Sequence, residues 1–396
     1  MSLMNEYIAK QWNVKQFEDE LTKLIKKYNG IRGTYLFVHV SAFEKPIPER
    51  ILLHEDYYTI HDLLTNKDDQ DKLDFFLETP GGMGEVAEEI VRFIHNEFET
   101  VSFVISGQAK SAGTIMALSG DDIFMTSTGS LGPIDAQIRI GRSTNSSYDY
   151  IEWVEAKQEQ AEKTGQLNPF DATMIAQITP GELNGVINTH GYAQDLVIDW
   201  LVKYKFKNWD FTETRRKPVT EDMKQKRAEE IAKELTNRTR WRTHGRSIKI
   251  DDLLGLGLII NRVEDNPKLA DVVLRIHTVC RFIFNMSNSF KIFATADDKI
   301  FRQAITMTGP PPGQQRIKVP QDVEVVEIDI ECQNCKQKHK LYAKLKEDKE
   351  IDQKMKSKGR IPFPSGKKIA CVCGKEIDLT PVREDAEKKI GKKFVF

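Results

Sequence analysis

From Thr34 onward the chain switches repeatedly between two hydrophobic periods. Short β-rich runs at 35–40, 73–78, 101–105 and 123–126 alternate with helical runs at 84–98 and 111–118. Parallel strands need a long crossover between them, so this alternation predicts a parallel sheet with flanking helices. In sheets of this kind functional groups collect at the carboxyl ends of the strands. Two glycine-bearing segments fall there, Glu78-Thr-Pro-Gly-Gly-Met-Gly84 and Ser106-Gly-Gln-Ala-Lys-Ser111-Ala-Gly113.

The flanks complete the organisation. Phe17, Leu21, Leu24 and Tyr28 recur at helical spacing ahead of Gly30, which predicts a packing helix with a glycine stop. A polar stretch at 142–149 precedes a helical run at 150–163, and another helix begins near Thr220 with Glu221 and Asp222 in its first turn. In 267–285, Leu269, Val272, Val273, Ile276, Val279, Cys280 and Ile283 share one face, which marks a core helix or a subunit contact. The run TGPPPG at 308–313 suits neither helix nor central strand and reads as a linker. The expected division is a helix at 1–32, an α/β domain with a helical extension at 33–307, a linker at 308–320 and a small domain at 321–396.

Composition narrows the function. Over 396 residues, 58 Lys or Arg against 59 Asp or Glu leave a net charge of -1, so global charge selects no partner. The balance is uneven, however: residues 331–396 hold 18 basic against 10 acidic groups. This basic end is expected to meet a protein or nucleic acid, although surface lysines are more often simply solvated. No stretch approaches the roughly 18 apolar residues of a membrane span. The first twenty residues lack the apolar core of a secretory signal, so a cytoplasmic location is expected.

The glycine turns could present backbone N–H groups to an oxyanion or phosphate, with the helix start adding partial positive charge. Ser111 places a hydroxyl at the start of a helix, where a serine usually serves only as an N-cap. Each feature alone is weak; their order is informative. Strand, TPGG, helix, strand, SGQAKSAGT, helix, strand and then SLGPI resembles the Clp-protease/crotonase superfamily. The likeness is greatest to its signal-peptide-peptidase-like branch, and within it to the serine dehydrogenase proteinase family. The resemblance covers about residues 35–265 and includes the late segment Thr243-His-Gly-Arg-Ser-Ile-Lys-Ile-Asp-Asp-Leu-Leu-Gly-Leu-Gly-Leu258. It implies a Clp/crotonase-like α/β fold, Ser111 as nucleophile, and an oxyanion hole from the TPGG turn and the N–H of Ala112. Gly82 is chosen over Gly81, although the sequence does not separate them.

A serine nucleophile needs a base. The Clp-type branch carries a histidine about twenty-five residues after the serine, where this chain reads Pro133-Ile134-Asp135-Ala136. The signal-peptide-peptidase-like branch uses a lysine forty to fifty residues on, and Lys157 follows Ser111 by 46, inside the 150–163 helix. Lys157 is therefore the expected base, against an ordinary surface pairing with Glu152, Glu155, Glu159 or Glu162. Lys163, His190 and His244 are further candidates. Asp135 alone is too weak a base and is expected at most to orient a partner.

Cys332-Gln-Asn-Cys335 and Cys371-Val-Cys373 form two pairs 36 residues apart. In a reducing compartment paired cysteines on short turns resemble a zinc ribbon, where Cys332, Cys335, Cys371 and Cys373 would hold one structural zinc. His339 could replace one ligand, and Cys280 reads as core. The whole is expected to be a serine peptidase acting on a peptide or protein substrate through an acyl-enzyme, with a Ser-Lys dyad. The resemblance also implies a homo-oligomer. The rivals are a crotonase-like acyl-CoA enzyme, which has no serine nucleophile, and a non-catalytic scaffold.

Overall fold

A computed structural model describes residues 2–65, 70–140, 143–212, 216–304, 324–390 and 392–396. The chain divides into two compact units, Met1–Thr306 and Met307–Phe396. The expected linker at 308–320 lies outside the described residues.

The first unit is built on a seven-stranded sheet. Its strands lie in the order Lys299–Gln303, Ser289–Ala294, Tyr35–Ser41, Lys72–Glu78, Thr100–Ile105, Asp122–Met125, Asn261–Arg262. The last five are mutually parallel, as the alternation predicts. Ser289–Ala294 pairs antiparallel with Tyr35–Ser41 on one side and with the edge strand Lys299–Gln303 on the other, which makes the sheet mixed rather than purely parallel. Their hairpin follows a single long helix, a pattern that the alternation from Thr34 to Thr126 does not contain.

The central strands are apolar at nearly every position because both faces are covered. Phe37, Phe75, Leu77, Phe103 and Ile105 pack under the helices Gly84–Glu97, Ala112–Leu118 and Pro180–Trp200. The alternate residues Leu36, Val38, Val40, Phe76 and Val104 meet the helices Val14–Arg32 and Pro267–Met286 on the other side. Those two helices pack on each other, with Phe17 stacked on Phe282 at 4.8 Å between ring centroids. The 267–285 face is therefore core. The first helix runs past Gly30 and stops at Gly33, whose left-handed φ of 66° supplies the cap.

Two corrections concern the segment after the sheet. Where a polar stretch was expected, Gln137–Ile140 and Ser143–Ser146 pair as an antiparallel ribbon, and the helix starts earlier, at Ser147. Ser146 caps it by accepting the Asp149 N–H.

The second unit holds a three-stranded sheet of Val325–Glu331, Lys338–Lys344 and Ile361–Pro362, and a hairpin of Lys368–Ala370 with Glu376–Asp378. Its core is small: Val326, Ile328, Leu341, Phe363, Leu379, Ala386 and Phe394.

Candidate active site

The two glycine turns are stitched together. Thr79 N–H donates to Gln108 O and Lys110 N–H to Thr79 O, each at 2.9 Å, so the end of one strand runs beside the end of the next. Gly81 and Gly82 have φ of 96° and 154°, in the region that side chains rarely adopt. At Gly82 a Cβ would lie 2.4 Å from Leu52 N, because Leu52 pairs with this turn through Leu52 N–H to Gly81 O (2.8 Å) and Met83 N–H to Leu52 O (3.2 Å). The Gly81 N–H is taken by Thr79 Oγ1 at 3.2 Å. The Gly82 N–H and the Ala112 N–H donate to no acceptor among the described residues.

Ser111 departs from an ordinary N-cap. Its side chain caps nothing, and its φ of 51° with ψ of -118° puts it in a strained turn between strand and helix. Such a conformation costs about 1–2 kcal/mol in an L-residue and is held by the surrounding bonds. Here Ser111 O accepts from Thr114 N–H (2.8 Å) and Ile115 N–H (3.1 Å), which fixes the turn while leaving the hydroxyl free of the helix. A strained strand-turn-helix serine is also how nucleophile elbows expose their oxygen.

Ser111 opens into a cavity of about 400 Å³ whose wall includes Gly82, Ala112, Asp135, Tyr192 and His244. The distant parts of the sequence arrive through short pairings. Ser130–Leu131 runs parallel to Gln108–Ala109, and Leu131 exchanges two 3.0 Å backbone bonds with Ile248. The second pairing brings Thr243–Ile248 against the segment that leads to Asp135. Buried Lys110 fastens the same junction, donating to Leu131 O (3.0 Å), Arg246 O (3.1 Å) and Ser247 Oγ (3.1 Å). Burial, with the nearby Lys249 charge adding to it, pushes the Lys110 amine down to about 8.

Asp135 is buried, accepting from Ser146 Oγ (2.6 Å) and Gln137 Nε2 (2.7 Å), and its Oδ2 lies 3.7 Å from His244 Nδ1. That separation exceeds a hydrogen bond. His190 does not line the cavity; its Nδ1 is 3.3 Å from Ser147 Oγ, and burial lowers its pKa against the opposing charge of Asp135.

Lys157 has partners of its own. Its ammonium is 2.8 Å from Asp171 and 3.2 Å from Gln160 Oε1, and it is absent from the cavity wall. Sequence reasoning weighed four glutamates as its partners and missed Asp171, which a fold in the helical extension brings over. Lys163 pairs with Glu159 in the exposed i,i+4 manner. Sequence reasoning also missed Gln137, Ser146 and Leu52, for which no local pattern exists.

In the second unit the two cysteine pairs meet. The sulfurs of Cys332, Cys335, Cys371 and Cys373 lie within 4.8 Å of one another, a group that could hold a metal ion. Cys332 is 3.8 Å from Cys373 and Cys335 3.5 Å from Cys371. His339 Nε2 approaches Cys371 Sγ at 3.2 Å and the Asn334 amide approaches Cys373 Sγ at 3.6 Å, so both stand behind the sulfurs as donors. Much of the basic surplus is paired within the unit: Lys344 with Asp352, Arg360 with Glu327 and Asp329, Lys368 with Glu376 and Arg383 with Glu387. Cys280 is fully buried in the first unit's core.

Two uncharacterized proteins of Methanocaldococcus jannaschii, MJ1495 and MJ0137, are each 24% identical to the chain. The first aligns over 245 residues, 60% of this chain and 70% of its own length; the second over 261 residues, 64% and 78%. Solved structures that resemble the chain include two of the 1510-N membrane-bound stomatin-specific protease, both at 15% identity. One, a serine-to-alanine mutant, has a TM-score of 0.33 over 56% of this chain and 79% of its own. The other, a lysine-to-alanine mutant in complex with a substrate peptide, has a TM-score of 0.32 over 63% and 84%. No described helix of this chain is long and apolar enough to cross a membrane. Residues 37–179, which contain both glycine turns, Ser111 and Asp135, match the model of the ClpP-like SDH-type serine proteinases.

Proposed function

We propose that the chain hydrolyses peptide bonds through an acyl-enzyme on Ser111, with His244 as general base and Asp135 as the carboxylate that orients it. The observation that carries this reading is the shared cavity: Ser111, Asp135 and His244 line one space, while the Lys157 ammonium is held by Asp171. With Nδ1–H turned toward Asp135, His244 Nε2 takes the Ser111 proton as Oγ attacks the substrate carbonyl carbon. The developing oxyanion is received by the N–H groups of Gly82 and Ala112, the two donors left free beside the serine. His244 then protonates the leaving amine, and water releases the acyl group by the same route in reverse. Lys157 as base would need its ammonium freed from the buried Asp171 carboxylate.

The test is a pair of substitutions read on one fluorogenic peptide. His244→Ala and Asp135→Asn should each lower kcat by about 10³-fold or more, as loss of a base or its orienting group does elsewhere, while Lys157→Ala should stay within a few fold. The reverse pattern would restore the Ser-Lys dyad.

The second unit, from about residue 321, is proposed as a zinc ribbon. Four sulfurs around a tetrahedral zinc at ~2.3 Å stand about 3.8 Å apart, close to the 3.5 and 3.8 Å found here. The ion would be structural, tying two turns over a core of few large side chains. Thiolates kept free for metal fit a reducing cytoplasm. Assembly into a homo-oligomer rests on the family resemblance, and light scattering of the pure protein tests it.

A further inference from the structure

Behind the oxyanion turn lies a fully buried ion pair that the proteolytic chemistry does not use. Lys291, on the strand Ser289–Ala294, and Asp56, in the helix His54–Thr65, are both fully buried, with Lys291 Nζ 2.5 Å from Asp56 Oδ2. Burying two charges is costly, and apolar residues of similar size usually do as well or better for stability. A second function is therefore worth seeking, and the remaining bonds of the pair point to it. Lys291 Nζ also donates to Ile51 O at 2.6 Å, and Asp56 Oδ2 accepts the Leu53 N–H at 2.9 Å. The pair thus grips the backbone on both sides of Leu52. Leu52 in turn holds the glycine turn, through Leu52 N–H to Gly81 O and Met83 N–H to Leu52 O. The backbone of Leu52 lies so close to Gly82 that any Cβ there would overlap it.

We infer that Lys291 and Asp56 are positioning residues of the proteinase, a buried clamp that sets the Gly82 N–H in line with the Ala112 N–H. The inference rests on the assignment of Gly82 and Ala112 as the oxyanion donors. Segment 51–53 has no regular secondary structure to fix it beyond its pairing with the turn. The clamp supplies that fixity: one ammonium and one carboxylate take a carbonyl and an N–H two residues apart, so Leu52 is held at a set height above the strand ends. Preorganised donors stabilise a transition state only if their position is fixed before charge develops, and an error near 1 Å costs about 10²-fold.

The test uses the full chain with both charges removed together, Lys291→Met with Asp56→Asn, so that no unpaired charge is left buried. The Asp56→Asn change is not made alone, because the Lys291 ammonium would then be stranded. A fluorophosphonate probe and a peptide aldehyde both place oxygen in the oxyanion hole, whereas a cleaved product peptide does not. The inference expects labelling rate, aldehyde affinity and kcat to fall together by about 10- to 100-fold, with KM and product affinity within about twofold. Amide exchange should accelerate at Leu52 and Met83 but not in the strand Thr100–Ile105. The conservative Lys291→Arg, which keeps the donors, should recover most of kcat per folded molecule. A folded double variant with wild-type kcat, or one whose loss is shared equally by product binding, overturns the clamp. Wild type and Ser111→Ala run alongside: if Ser111→Ala is labelled like wild type, the site assignment itself has failed, and the clamp with it.

Discussion

Replacing Gly82 by alanine puts the oxyanion assignment under the sharpest strain. An added Cβ would meet Leu52 N at 2.4 Å, Leu52 O at 2.5 Å and Leu52 Cα at 2.8 Å, all backbone atoms that cannot rotate away. Ordinary contact begins near 3.4 Å, so the turn and segment 51–53 must part by about 1 Å. The φ of 154° is also unfavourable for alanine. A shift of that size removes the Gly82 N–H from the developing oxyanion. Loss of one such donor costs about 3 kcal/mol, or ~10²-fold in kcat. The assay is kcat on a fluorogenic peptide, normalised to folded protein by thermal unfolding. Gly185→Ala serves as control, since that helical glycine has open space around it, and it should leave kcat within twofold. A folded Gly82→Ala enzyme with kcat within threefold of wild type would refute the assignment of this turn.

Lys110 and the cysteine cluster yield two further tests. The Lys110 amine titrates near 8 in the folded chain against 10.5 for a free lysine, so between these values the unfolded state binds more protons and stability rises with pH. Below pH 8 the buried ammonium carries its full cost. Relative to Lys110→Met, wild type should gain up to about 3 kcal/mol between pH 8 and 10.5, and parallel urea-unfolding curves for the two proteins would contradict this. For the metal, pure protein should hold about one zinc per chain, and Cys332→Ser with Cys335→Ser should abolish it. A chelator should then raise amide exchange in Val325–Glu331 and Lys338–Lys344 while the Ser111 domain keeps its peptidase activity. Metal-free protein with an unchanged exchange pattern would count against the ribbon.

Within residues 35–126 the helix His54–Thr65 went unread, whereas the strands and helices named there were legible because each run is periodic and bounded by a local signal. Their edges moved by only a residue or two in the structure. The Ser111 turn was legible for the same reason, since its strand-turn-helix sequence is written in adjacent residues. The base was not. Lys157 was chosen by its spacing along the chain, and spacing does not reveal that Asp171 returns to meet it. His244 reaches the cavity through the Leu131–Ile248 pairing, a contact between segments more than a hundred residues apart. Asp135 was visible only as a carboxylate in the histidine slot; its depth and its partners Gln137 and Ser146 depend on a ribbon that read as polar loop. The pairing of Lys291 with Asp56 was equally silent, since no local pattern marks a partner 235 residues away. In the second unit the paired cysteines were readable because the four residues that could hold a metal ion cluster in sequence as well as in space.

The central claim is that Ser111 is an acylating nucleophile. Its most direct test is to treat the full chain with a fluorophosphonate probe and map the adduct by peptide mass spectrometry. The account predicts one adduct per chain, on Ser111, formed at a rate that falls by about 10³-fold in His244→Ala and is little changed in Lys157→Ala. No adduct on a folded chain, or an adduct on another serine that persists in Ser111→Ala, would contradict it.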